Sequence, residues 1–180
     1  VLPVVGKELR ASVSWHEGRT ESDRLLSWDD IFTMHGRPKR FCLELFAGSA
    51  RISQALKRLG VPIFPVDICL FPSHNVLHSN ICKGIFNFLR QQRVKLVWIG
   101  MPCTTFSRAR QFDGVGPPPL RMSDAIWGLS DLRPSDCRKL NEGNQLFNFT
   151  MKILHLCEQY KIPYVLENPL TSMAWEMPPM

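Results

Sequence analysis

Phe41-Cys42-Leu43-Glu44-Leu45-Phe46-Ala47-Gly48-Ser49 reads as a strand running into a glycine turn, and the residues after it complete a unit. Ala50 to Leu59 carries Ile52, Ala55, Leu56 and Leu59 at helical spacing. Gly60 closes that helix as a C′ glycine, and Val61 to Val66 forms a second strand that ends at Asp67. The alternation continues outward. Ile81 to Arg90 predicts a helix with Ile85, Phe86 and Leu89 inward, and Val94 to Met101 a third strand. Asn144 to Tyr160 predicts a helix on Leu146, Phe149, Ile153, Leu156, Cys157 and Tyr160, and Pro163 to Glu167 a last strand. Strands alternating with helices make βαβ units, which gives an α/β fold with a largely parallel sheet and helices on both faces. Residues 108–143, rich in Gly, Pro, Arg and Ser, read as a long loop with room for one short helical piece, a length typical of functional lids.

The chain has 180 residues, 44% of them hydrophobic, enough for the core of one domain. No apolar stretch is long enough to span a bilayer, and Lys7, Glu8 and Arg10 interrupt any N-terminal signal. Residues 1–40 form an unassigned leader, with Trp15 and Trp28 as anchors and Ser27-Trp28-Asp29-Asp30 as a helix-start signal. Arg37-Pro38-Lys39-Arg40 marks the boundary before a core domain over 41–180. A start at Val1 and a stop at Pro178-Pro179-Met180 without a closing element suggest a fragment of a longer protein. The net charge of +6 permits a polyanionic partner such as nucleic acid. Six sparse cysteines, none in a Cys-x-x-Cys pair, favour a reducing compartment over a disulfide framework. His74 and His78 have helical spacing but no third ligand, so no metal site is expected.

In parallel sheets, ligands bind beyond the C-terminal strand ends. Gly48, Asp67, Cys103 and Glu167 all fall at or just after such ends. Glycine lets backbone approach a ligand, and an acid closing the second strand can accept both hydroxyl hydrogens of a ribose. The turn Phe46-Ala47-Gly48-Ser49-Ala50-Arg51 lacks a Gly-x-Gly-x-x-Gly pattern, which argues against a dinucleotide and for a mononucleoside cofactor such as S-adenosylmethionine. Cys103 follows the apolar run Val97-Trp98-Ile99-Gly100-Met101-Pro102, a placement that holds a sulfur rigidly from behind while leaving it accessible. A thiol beside the Glu167 carboxyl group is not a proteolytic pair. It suits addition of sulfur to an electron-poor ring whose nitrogen the carboxyl group hydrogen-bonds.

In order and spacing, Phe46-Ala47-Gly48, Asp67, Gly-x-Pro-Cys-x-x-Phe-Ser at 100–107 and Glu167-Asn168 resemble the cytosine-5 DNA methyltransferases, from about Phe41 to Pro169. The resemblance implies a Rossmann-like S-adenosylmethionine-dependent methyltransferase fold, its C-terminal part missing. It implies a flipped cytosine, Cys103 attacking ring carbon 6, Glu167 engaging ring nitrogen 3, and methyl transfer to carbon 5. It places Phe46 and Gly48 against S-adenosyl-L-methionine, Asp67 at its ribose, Ile68 and Asn80 near its adenine, and Pro102 in the pocket wall. Phe106, Ser107, Arg108 and Asn168 fall on the substrate side. The implied partner is DNA, with RNA a less favoured substrate, no membrane is involved, and the implied location is intracellular, nuclear in a eukaryote and otherwise cytoplasmic.

The departures are specific. The family continues Gly-x-Gly-Gly where this chain has Gly48-Ser49-Ala50-Arg51. It has glutamine at Thr104, valine at Pro169 and an acid at Asn80. The Gln-x-Arg-x-Arg segment and target-recognition domain would lie past Met180, which opens the reading that the fragment alone is inactive. A degenerate relative, such as one carried by a mobile element and binding cofactor or nucleic acid without catalysis, is the alternative. A generic oxidoreductase is disfavoured by the missing glycine fingerprint.

Overall fold

The computed structural model describes residues 40–111 and 117–178. The leader's anchors and cap signal, and Gly114 to Gly116, lie outside the described residues. Four strands form one all-parallel sheet: β1 (Phe41–Leu45), β2 (Ile63–Val66), β3 (Val94–Gly100) and β4 (Tyr164–Glu167), in the order β2-β1-β3-β4. Three helices connect them: α1 (Arg51–Arg58), α2 (Ser79–Arg90) and α3 (Pro134–Tyr160). The α/β architecture expected from the alternation is therefore present.

The pleat of β1 assigns the faces. Phe41 meets Phe88 of α2 edge to face at 5.3 Å, whereas Glu44 accepts the Ser53 backbone N–H of α1 at 2.8 Å. Residues of opposite parity point to opposite faces, so α1 and α2 cover different sides of the sheet. Phe86 of α2 stacks on Phe149 of α3 at 5.7 Å, which puts α3 beside α2. The main core lies on that side, where Leu43, Leu45, Val97 and Ile99 pack under Ile81, Ile85, Leu89, Ile153 and Leu156. Chain direction reverses between β1 and β3, because α1 leads outward to β2 and α2 carries the chain back across β1. β2 is an edge strand, which is why it tolerates Pro65.

The boundaries sharpen several expectations. Gly60 has φ +71°, as a C′ residue requires. The largest correction is α3, which starts at Pro134 and not at Asn144, so residues 134–143 are helix and not loop. Pro134 supplies the preset φ of a first helical residue, and Asp136 in the first turn is held by Arg133 and Lys139. Only Asp136, Leu140 and Gly143 of that added stretch are buried, so its mostly polar sequence conceals the periodicity.

Glu44 is almost completely buried and takes hydrogen bonds from both the backbone N–H and the hydroxyl of Ser53. It thereby caps α1 from the neighbouring strand, in place of Ala50, whose side chain caps nothing. Burial pushes its carboxyl group up, and the Ser53 bonds offset only part of that rise. A raised carboxyl pKa in the folded state contributes stability below the unfolded value of about 4.3, and that contribution is lost as pH rises through the folded value. Urea midpoints measured across this range should decline with rising pH in the native sequence relative to Glu44→Gln. Identical profiles for the two proteins would contradict the assignment.

Candidate functional site

The loop leaving β1 has an unusual backbone. Phe46, Gly48 and Ala50 all lie in the left-handed region, at φ 58°, 54° and 53°. Such a conformation costs about 1–2 kcal/mol at each non-glycine residue, so the surroundings must impose it. They do so through hydrogen bonds: Ala47 N–H to the Val66 carbonyl at 3.3 Å, Ala50 N–H to the Ala47 carbonyl at 2.7 Å, and Gly48 N–H to Asp67 Oδ2 at 2.8 Å. A side-chain carbon built on Gly48 would meet nothing within 4 Å, so this backbone faces open space that a ligand can enter. Phe46 turns its ring edge to Phe149 at 6.2 Å and is half-buried.

Asp67 already has two partners. Its Oδ2 accepts from Gly48 and its Oδ1 from the Cys69 N–H at 2.7 Å, so it locks the end of β2 to the glycine turn. A carboxylate offers about four acceptor positions, which leaves room for two hydroxyl donors. Ile68, next to it, is exposed. Asn80 is exposed in the first turn of α2 and accepts from the Ser79 hydroxyl at 3.5 Å.

The tips of β3 and β4 are neighbours. Gly100 pairs with Glu167, which is exposed, and Pro102 and Cys103 follow, both half-buried. The Cys103 carbonyl accepts the Phe106 N–H at 2.9 Å and closes a turn. Asn168 Nδ2 donates to the Met101 carbonyl at 2.9 Å, tying the end of β4 to the segment that carries Cys103. Burial raises the thiols of Cys42 and Cys82, and pushes Cys157 up to about 12, which makes these three poor nucleophiles at neutral pH.

The residues expected on the substrate side have partners within the protein. Phe106 is fully buried between Phe147 and the Arg121 guanidinium. Ser107 caps its own turn, its hydroxyl accepting the Ala109 N–H at 3.2 Å. Arg108 pairs with Glu176, and the Met173 N–H donates to the Phe106 carbonyl at 2.9 Å. Residues 173–176 therefore brace the loop after Cys103. The two histidines do not share a helix, since His74 sits in a short turn against Phe64 and Phe71 and His78 precedes α2. Among the described residues no His, Cys, Asp and Glu cluster could hold a metal ion.

Arg121, which sequence reading left inside a loop, holds this region together. Its guanidinium is 1% exposed. It donates to the Thr105 carbonyl and hydroxyl, both at 3.2 Å, to the Ile126 carbonyl at 2.9 Å and to Asn144 Oδ1 at 2.7 Å. It also lies 4.0 Å from the centre of the Phe106 ring, a favourable cation–π distance. Burial lowers its pKa to about 10, so it remains cationic at neutral pH. The only sequence signal was an arginine flanked by Leu120 and Met122 within a Pro- and Gly-rich stretch. Glu44 was missed for a different reason: period-2 reading places it on a face but cannot say that α1 caps on it.

Comparison with known proteins returns no matching family model, no similar curated protein and no similar solved structure, so the functional reading rests on these residues and their placement.

Gly143 lets α3 approach the turn. A side-chain carbon there would stand 2.4 Å from Thr105 Oγ1 and 3.2 Å from Arg121 Nη2. Helix propensity alone would make Gly143→Ala stabilising by about 1 kcal/mol. The clash with the Thr105 hydroxyl, which Arg121 holds in place, should outweigh that gain and leave a net loss of about 1–3 kcal/mol in chemical denaturation. A more stable variant would show that the close packing is not required.

Proposed function

We propose that this chain is the cofactor- and cysteine-bearing part of a cytosine-5 DNA methyltransferase that uses S-adenosylmethionine. The observation that carries the reading is the convergence of four separated motifs on one sheet edge. Phe46-Ala47-Gly48 follows β1, Asp67 follows β2, Pro102-Cys103 follows β3, and Glu167-Asn168 closes β4. The strand order divides the labour. Cofactor groups lie over β2 and β1, the cysteine and glutamate over β3 and β4, and the reversal between β1 and β3 is where ligands of doubly wound sheets bind.

The residues present fit the cofactor. Gly48 presents backbone toward open space, Asp67 is oriented with acceptor positions to spare for ribose hydroxyls, and Ile68 offers an exposed apolar surface. S-adenosylmethionine supplies an electrophilic methyl group when bound. The Cys103 sulfur, having lost its proton to solvent, forms a bond to ring carbon 6 of an extruded cytosine. The ring double-bond pair moves to carbon 5, and the Glu167 carboxyl group gives its proton to ring nitrogen 3, so no net negative charge accumulates on the ring. Once carbon 5 carries the methyl group, its proton leaves to a base. The sulfur–carbon bond then breaks, and the nitrogen proton returns to Glu167. Asn168, through Met101, positions the Cys103 segment. The net charge of +6 favours a polyanionic substrate.

The test is covalent capture. DNA containing 5-fluorocytosine cannot lose a proton from carbon 5 after methylation, so an active protein with S-adenosylmethionine should stay attached to it through Cys103. The parent protein should form this denaturation-resistant adduct, and Cys103→Ser should form none. An adduct that persists in Cys103→Ser would move the nucleophile elsewhere, and none from the active parent protein would refute the mechanism.

A further inference from the structure

The structure holds a second candidate site, beside the tips of β3 and β4 but lined by neither Cys103 nor Glu167. We propose that the cavity between α3, the end of β4 and the turn at Met173–Glu176 binds a neutral, ring-sized molecule that carries an N–H donor. The cavity measures about 200 Å³, somewhat larger than an apolar protein cavity of about 150 Å³ that takes up benzene. Phe147, Leu166 and Met101 give it apolar walls, and no charged side chain lines it, which selects a neutral ligand. Trp175 forms an outer wall. Its indole N–H is committed to the Pro169 carbonyl at 2.8 Å, so only its ring surface is offered.

Two polar atoms at this cavity set the ligand's chemistry. Thr150 is 1% exposed, and its hydroxyl has no hydrogen-bond partner in the protein. Asn168 Oδ1 is likewise buried and unpartnered, while the other end of the same amide is spent on the Met101 carbonyl. That commitment fixes the amide's orientation and leaves Oδ1 as an acceptor only. A ligand must therefore donate to Asn168, and can donate to or accept from Thr150. Buried polar groups are almost always satisfied, so orphans on one cavity point to a polar partner, and an N–H that donates to Asn168 Oδ1 is the group the site requires. Cys103, Glu167, Gly48 and Asp67 do not line the cavity; Asn168 and Met101 do and also hold the segment carrying Cys103, so uptake is read by ligand binding and not by methyl transfer.

Indole and indene test it, because they share a shape and only indole has an N–H. The full 180-residue chain would be titrated with each while the methyl signals of Thr150 and Ala174 are followed by NMR. Indole should bind saturably with a Kd of about 1 mM or tighter, and indene at least about 10-fold more weakly. Asn168→Leu, which keeps the approximate shape and removes the acceptor, should narrow that ratio, and Ala174→Leu should abolish binding of both by filling the space. Three results would overturn the proposal: no saturable shift in the folded protein, equal affinity for the two probes, or unchanged indole discrimination in Asn168→Leu. Equal affinity would instead describe an apolar hole whose polar atoms are served by water.

Discussion

The buried guanidinium of Arg121 is the constraint on which the C-terminal edge depends. Its donors reach the turn after Cys103, the segment preceding α3 and α3 itself, and Phe106 packs against its face. Removing a charge from water costs several kcal/mol, so burial without this set of acceptors would be strongly unfavourable. Because the acceptors belong to three pieces of chain, satisfying the charge requires all three to be in place together. The approach of Gly143 to Thr105 belongs to the same arrangement. An electrostatic requirement is thus converted into a fixed position for the turn carrying Cys103.

A different bracket fixes the other half of the edge. Asp67 joins the end of β2 to the Gly48 turn, and Glu44 joins β1 to the first turn of α1. Together with the backbone bonds from Ala47 and Ala50, they hold two non-glycine residues in left-handed conformations. Strain of this kind is kept where surroundings over-determine it, and such places tend to be functional. Both halves meet between β1 and β3, where the winding of the chain across the all-parallel sheet reverses. There one side is bracketed around a glycine turn and the other around a cysteine, which suits transfer of a small group between two ligands.

The sheet was legible because β1, β2 and β3 are mainly apolar, broken only by Glu44 and Lys95, and Gly60 and Asp67 end their elements as a C′ residue and a strand-closing acid should. The tip positions were legible for the same reason, since topology alone sends parallel strand ends to one edge. The start of α3 was hidden because a helix that buries only Asp136, Leu140 and Gly143 in its first ten residues has no apolar stripe to read. The burial of Phe106 was not legible because a motif position carries no information about facing: the turn closed by the Cys103 carbonyl carries that ring into the core. Arg121 and Glu176 were invisible because their partners are distant in sequence, and pairing across such distances leaves no local pattern.

If the Gly48–Asp67 corner receives a nucleoside cofactor, the chain must bind S-adenosylmethionine there. The most direct measurement is a titration of the 180-residue chain with S-adenosylmethionine followed through backbone amide shifts. Saturable binding is expected, with the largest perturbations at Gly48 and Cys69, whose N–H groups bond Asp67. No binding by the folded chain, or shifts confined to residues away from the C-terminal edge, would contradict it.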